Sequence, residues 1–210
     1  MTRDELLDVF RKSGALLEGH FRLTSGLHSS GYLQCALVLQ HPQQAEALGA
    51  ALASRTRDLR ATAILSPALG GVIIGQEVGR SLGIRALFAE RLDGALTLRR
   101  GFMLGETDRV LVVEDVMTTG GSTRETIEVA RAAGARVVGA AAIVDRSAAT
   151  VSRESDLGVP FATLLRIDLP TYEPDACPLC AQGLPVVKPG SRNSTLNSQV
   201  STLKKNVAQD

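Results

Sequence analysis

The sequence predicts an α/β fold, with a central parallel sheet carrying helices on both faces. Three observations carry that prediction. Short apolar runs rich in β-branched residues recur along the chain: Ala61–Ser66, Ile84–Ala89, Val110–Val113, Arg136–Val144 and Phe161–Ile167. Continuous apolar strands are buried on both faces, and strands separated by helices pair in parallel. The stretches between them have helical character, with glycine at the stops: Gln43–Arg57, Val72–Leu82 before Gly83, and Ser122–Ala133 before Gly134. Finally, polar clusters directly follow strands at Pro67–Gly71, Glu90–Arg91, Glu114–Ser122 and Asp145–Arg146. Ligands of open α/β sheets bind beyond the carboxyl ends of the strands, so these four clusters are expected to converge on one crevice.

The flanks read differently. Thr2 and Glu5 have capping-box spacing, and apolar residues at helical intervals predict an amphipathic helix over 3–18, stopped by Gly19. Residues 19–39 suggest a short β segment around Phe21 and Leu23, a polar turn at Ser25–Gly26, and a strand over Tyr32–Leu39. This piece belongs to no βαβ repeat and is expected to form a small N-terminal cap, or hood, on the main sheet. The stretch after Leu169 is Pro-rich, and residues 191–210 are polar and aperiodic, which predicts a disordered C-terminal tail. The expected organisation is a single domain over 1–190, with the cap at 1–40, the α/β core at 41–169 and a Pro/Cys extension at 170–190.

Composition narrows the function. Among 210 residues, 23 basic side chains face 22 acidic ones, a formal net charge of +1. That balance argues against a protein that coats nucleic acid or a membrane surface. No apolar run approaches the ~20 residues of a membrane span, and the charged start MTRDELLDVF is not a signal peptide, so a cytoplasmic protein is expected. Three cysteines, an odd number, fit a reducing compartment. Cys177 and Cys180 form a lone CPLC. A structural zinc site needs four ligands, and His20, His28 and His41 all lie far upstream, so two plain thiols in a Pro-rich turn are expected.

The chemistry concentrates in Val110–Gly134, which reads as strand, loop and helix. Glu114 and Asp115 follow the apolar run where the strand should surface. Thr118, Thr119, Gly120, Gly121, Ser122 and Thr123 make a small polar turn, and Ser122 with Glu125 has the spacing of a capping box. Such a turn at a helix N-terminus offers unpaired N–H groups and the positive end of the helix dipole, which suits phosphate. The two acids suit sugar hydroxyls or a hydrated divalent ion. Neither the P-loop pattern nor GxGxxG is present.

Apolar run, Glu-Asp, two apolar residues and Thr-Thr-Gly-Gly-Ser resembles the phosphoribosyl-diphosphate (PRPP) motif of the type I phosphoribosyltransferases. With GHFRLTSGLHSSGYLQC, SPALGG, LFAER, LRRG, IVDR and PTYEPDACPLC, the chain looks like an orotate phosphoribosyltransferase from about Leu6 to Pro189. The resemblance implies the type I fold and transfer of ribose 5-phosphate from PRPP to orotate, giving orotidine 5′-monophosphate and diphosphate in pyrimidine synthesis. It implies Mg2+ as cofactor, held mainly through PRPP, and a homodimer with a shared active site.

Residue roles follow from the same resemblance. Glu114 and Asp115 match the acids that grip the ribose hydroxyls, Asp115 with a catalytic role. Thr118, Thr119, Gly120, Gly121 and Ser122, with Val116 and Met117 before them, match the PRPP 5-phosphate site. Ala68, Leu69, Gly70 and Gly71 match the diphosphate loop. Arg91 matches a catalytic basic residue reaching the diphosphate across the dimer, and Leu92–Arg100 a mobile loop. Arg146 matches the arginine that pairs with the orotate carboxylate, and Thr118, Thr24 and Tyr32 match orotate contacts. The chain departs from the pattern at Thr24 and Gly70, where lysine is common, and in a loop with only Arg91, Arg99 and Arg100 as cations. The alternatives are a transferase for a purine base, which offers no carboxylate to Arg146, and a non-catalytic PRPP-sensing regulator, which would call for a basic face or an added domain.

Overall fold

The computed structural model describes residues 1–23, 25–147 and 151–189. Helix α1 (Arg3–Lys12) opens the chain, followed by strands β1 (Leu16–Arg22) and β2 (His28–Leu33) and helices α2 (Ala36–Leu39) and α3 (Pro42–Thr56). The central run is β3 (Ala63–Pro67), α4 (Gly70–Leu82), β4 (Arg85–Leu92), β5 (Ala95–Leu98), β6 (Arg109–Met117), α5 (Gly121–Ala132) and β7 (Arg136–Asp145). Helix α6 (Arg153–Leu157), β8 (Phe161–Arg166), β9 (Thr171–Tyr172) and α7 (Pro178–Ala181) complete it. Contacts divide the chain into two compact units: Met1–Ala15 with Gln34–Asp168, and Leu16–Leu33 with the chain from Leu169. The segment 1–40 is thus shared between the two.

The larger unit holds a six-stranded sheet in the order β5-β4-β3-β6-β7-β8. Five strands are parallel, and β5 pairs antiparallel with β4. The sheet is therefore mixed at one edge rather than wholly parallel. Val110, Leu111, Val112 and Val113 of β6 are completely buried, as a strand covered on both faces should be. Alternation along the strands sorts the two faces. Ala63, Leu65, Val110 and Val112 pack with Ile127 and Ala130 of α5, whereas Ile64 and Ser66 lie under α4. Helix α4 sits very close to β3: a Cβ on Gly75 would lie 2.1 Å from Ser66 Oγ.

In the smaller unit β1, β2 and β9 form an antiparallel sheet. Val187 joins beside it, its carbonyl accepting from Arg22 N and its N–H donating to the His20 carbonyl, each at 2.8 Å.

Several sequence expectations are corrected. The first helix does have its capping box, with Thr2 N donating to Glu5 Oε2 at 2.7 Å, but it ends at Lys12. Leu16 and Leu17 belong to β1, because a positive-φ Gly14 turns the chain after Ser13. Ala36–Leu39 is helical rather than part of a strand. In the stretch 92–100, expected to match a mobile loop, the part up to Leu98 has regular structure, a hairpin in which Leu92 pairs with Ala95 across Asp93-Gly94, both at positive φ. Asp-Gly is the two-residue turn whose backbone matches strand twist, a signal present in the sequence and overlooked there. The expected disordered tail, 191–210, lies outside the described residues.

Candidate active site

The site is built on β6. This strand does not end at Val113 but runs on to Met117, so Glu114 and Asp115 are strand residues facing opposite ways. Glu114 points to the α5 side, where the Thr123 hydroxyl donates to its Oε2. Asp115 points to the α4 side, against the start of that helix. A Cβ on Gly70 would lie 2.6 Å from Asp115 Oδ1, and one on Gly71 would lie 2.9 Å from the Val113 carbonyl oxygen. Only glycine lets the Ala68–Gly71 turn come this close. Ala68 N donates to the Ala89 carbonyl at 2.8 Å, tying the turn to β4, and Leu69 stands exposed.

Both acids are half-buried, and burial raises both. Glu114 is pushed up to about 7, with the Thr123 hydroxyl opposing the rise and the Asp115 charge adding to it. Asp115 is raised by burial against the lowering effect of backbone N–H groups. Their hard oxygen donors suit a hydrated Mg2+ as well as sugar hydroxyls.

Two helix N-termini flank the pair. The α4 N-cap is Leu69 and the α5 N-cap is Gly120, and neither makes a side-chain cap bond. The capping box read from Ser122 and Glu125 does not form. Glu125 instead accepts from Leu96 N at 2.6 Å and from Arg91 Nη2 at 2.9 Å. The first-turn N–H groups of α5 are thereby left without a side-chain cap. Gly120 makes the turn with φ 78°, a left-handed conformation natural to glycine. Thr118, Thr119 and Gly121 are exposed around it, while Met117 is buried.

A buried ion-pair network supports this turn, and sequence reading missed it. Asp145, fully buried, accepts from Arg153 Nε at 3.1 Å, Arg166 Nε at 3.1 Å and Ser147 Oγ at 2.8 Å. Burial alone would raise this carboxyl, but the bonds from Arg153 and Ser147 outweigh it and hold it below its usual range. Arg153 also donates to the Thr118 carbonyl, and Arg124 donates to the Thr119 carbonyl at 3.0 Å. Two arginines thus fix the carbonyls of the Thr118–Thr119 turn while its N–H groups stay available. No spacing in the sequence announces Arg153, which acts through a fold contact.

Arg146 follows β7 and is half-buried, its N–H donating to the Met117 carbonyl at 2.8 Å. It therefore stands at the same end of the sheet as the turn that follows β6. Arg91 lies at the end of β4, engaged by Glu125 of its own chain and by the Gly94 carbonyl at 2.5 Å. Arg100 pairs with Glu90 through two bonds of 2.7 Å. Tyr32 belongs to β2 of the smaller unit, its ring centroid 6.0 Å from that of Phe21. Thr24 lies outside the described residues.

The Phosphoribosyl transferase domain family model matches residues 37–163, which covers the β3–α4 and β6–α5 turns and Arg146. The chain is 54% identical to the orotate phosphoribosyltransferase of Pelotomaculum thermopropionicum, over 91% of this chain and 99% of that one. The chain belongs to the orotate phosphoribosyltransferase family. The orotate phosphoribosyltransferase of Desulforamulus reducens is 52% identical over 93% of this chain and its own full length. The crystal structure of the orotate phosphoribosyltransferase from Aeropyrum pernix superposes with a TM-score of 0.65 at 27% identity, covering 77% of this chain and 93% of that one. The type I phosphoribosyltransferase fold expected from the PRPP motif is therefore the fold of this family member. No helix among the described residues is long and apolar enough to cross a membrane.

Proposed function

We infer that the protein transfers ribose 5-phosphate from PRPP to orotate, giving orotidine 5′-monophosphate and diphosphate. The observation that carries the reading is the placement of two acids between two uncapped helix N-termini on one strand end. A substrate with a phosphate at each end and a sugar between fits that order. The 5-phosphate takes the N–H groups of Thr118–Ser122 and α5, and the diphosphate takes the Ala68–Gly71 turn and α4. The ribose hydroxyls fall between Glu114 and Asp115. Mg2+ would be held by the diphosphate and by the oxygen donors of these two acids, and it would supply charge for the leaving group.

Breaking the C1–O bond puts positive charge on the sugar and negative charge on the diphosphate. The two fixed carboxylates and the α4 N–H groups are oriented for those charges before the reaction begins. Arg146, beside the phosphate turn, selects the base. Its planar fork meets a carboxylate through two parallel hydrogen bonds, which orotate offers and neutral bases do not. Arg91 is proposed to serve the diphosphate in a homodimer, where exchanging its Glu125 partner for substrate would cost little because the pair is half-exposed. A cytoplasmic location is proposed from the same family reading.

Following orotate absorbance with PRPP and Mg2+ present tests the reading, and turnover of hypoxanthine or adenine in place of orotate would overturn it. Arg146→Ala should raise the orotate KM on the order of tenfold to a hundredfold while the PRPP KM holds. Equal rises in both would remove Arg146 from base selection.

A further inference from the structure

We propose that His20, His28, Cys177 and Cys180 form a structural zinc site within the smaller unit. The CPLC pair, expected to be two plain thiols with all histidines remote, instead meets both imidazoles of the β1–β2 hairpin. One ligand atom from each residue lies within 4.8 Å of all the others.

The spacing is that of a tetrahedron around zinc. Zn–N bonds of about 2.05 Å and Zn–S bonds of about 2.3 Å place neighbouring N and S ligand atoms about 3.6 Å apart, and two N atoms about 3.3 Å apart. His20 Nε2 lies 3.6 Å from Cys177 Sγ and 3.7 Å from Cys180 Sγ, and His28 Nδ1 lies 3.3 Å from Cys180 Sγ. His20 Nε2 and His28 Nδ1 are 2.8 Å apart, at hydrogen-bond distance. Metal binding would replace that bond and move the rings apart by about 0.5 Å. The other nitrogen of His20, Nδ1, is 2.8 Å from the Leu184 carbonyl. Donation there fixes the tautomer that leaves the Nε2 lone pair facing the cluster, the usual support for a metal-bound histidine.

The local fold assembles these donors on purpose-built backbone. Between Glu18 and Phe21 the β1–β2 register slips by a residue, forming a β-bulge. As a result His20 and Phe21 are both buried although they are adjacent, where regular alternation would turn one of them outward. His28 begins β2. Cys177 caps the four-residue helix α7 and Cys180 lies within it, three residues on. His20, His28 and Cys177 are buried and Cys180 closes the exposed side. Four protein ligands leave no open position, so the chemistry is structural rather than catalytic, and two thiolates with two imidazoles favour zinc over Mg2+.

Besides its three-stranded sheet, the unit has little apolar core among the described residues. Its buried apolar side chains, among the described residues, are Leu16, Phe21, Leu33 and Cys177. So small a core stabilises little by itself, and a metal that bridges chain segments some 150 residues apart contributes folding free energy directly.

The test is metal content of the full chain purified without added metal. About one zinc per chain is expected by inductively coupled plasma mass spectrometry, falling to trace levels in Cys180→Ser and His28→Ala. Wild-type protein stripped with a chelator and given Co2+ alone should show a thiolate-to-cobalt charge-transfer band and the strong visible bands of a tetrahedral ion. That second arm needs no variant to fold. Metal-free protein carrying a Cys177–Cys180 disulfide by mass spectrometry, a Co2+ spectrum lacking the thiolate band, or zinc content unchanged in both variants would each overturn the site.

Discussion

In the larger unit Glu114 and Asp115 stand at the end of a strand whose preceding four residues are fully buried. In the smaller unit His20, His28 and Cys177 are themselves buried, beside three other buried apolar side chains among the described residues. The first arrangement uses an apolar sheet as a rigid base and keeps its polar groups at the rim, where a substrate can displace water from them. The second puts polar donors inside, where they need partners that the chain or an ion supplies. The contrast teaches that buried polar residues in this molecule have two purposes. Asp145 and Arg153 belong with the second kind although they lie in the larger unit, since their pairing holds the Thr118 carbonyl of the turn after β6.

Removing that support should give the largest effect. Arg153→Met leaves Asp145 buried with Arg166 and Ser147 alone and frees the Thr118 carbonyl. A loss of about 3 kcal/mol of stability is expected, measured by thermal denaturation, together with a several-fold rise in PRPP KM. A stability loss with an unchanged PRPP KM would show that the turn keeps its shape without the arginine, and would separate the network from the site.

A smaller effect, visible chiefly as a pH profile, concerns Glu114. Its carboxyl titrates near 7 in the folded chain against an ordinary 4.5. The native state therefore favours the protonated form. The contribution to stability is fully present below about 4.5 and is lost as pH rises through about 7. For function the sign is opposite, because the charged form accepts from ribose hydroxyls. kcat/KM for PRPP should fall as pH drops through 7, and Glu114→Gln should flatten that acid limb. A limb that survives in Glu114→Gln would assign it to another group.

The smallest effect is expected at the surface of the β4–β5 hairpin. Arg100 and Glu90 form a well-aligned but exposed pair, and solvent-screened pairs contribute little. Arg100→Ala should leave the Tm within measurement error. A clear drop would mean that its guanidinium, 5.8 Å over the Phe88 ring, matters more than the ion pair.

The fold is most legible in the sequence where chemistry and local periodicity coincide. The apolar β6 run, the small polar turn and the helix after it were all legible from residue types. It is not legible where two local signals compete. Ser122 and Glu125 have capping spacing, yet a glycine N-cap and the reach of Arg91 drew Glu125 away. Leu16 and Leu17 continue a helical pattern, yet Gly14 broke it and their packing is that of a strand.

By itself the sequence determined the α/β class, the strand that carries the acids, the two glycine turns and the family to which they belong, because each rests on contiguous residues. Only the tertiary structure decided that Glu114 and Asp115 face opposite sides of the sheet, that Arg153 grips the turn after β6, and that two histidines near residue 20 meet two cysteines near 180. Those facts depend on pairing and packing between segments far apart in the chain. No local pattern encodes them, since the free energy that brings the segments together is spread over the whole fold.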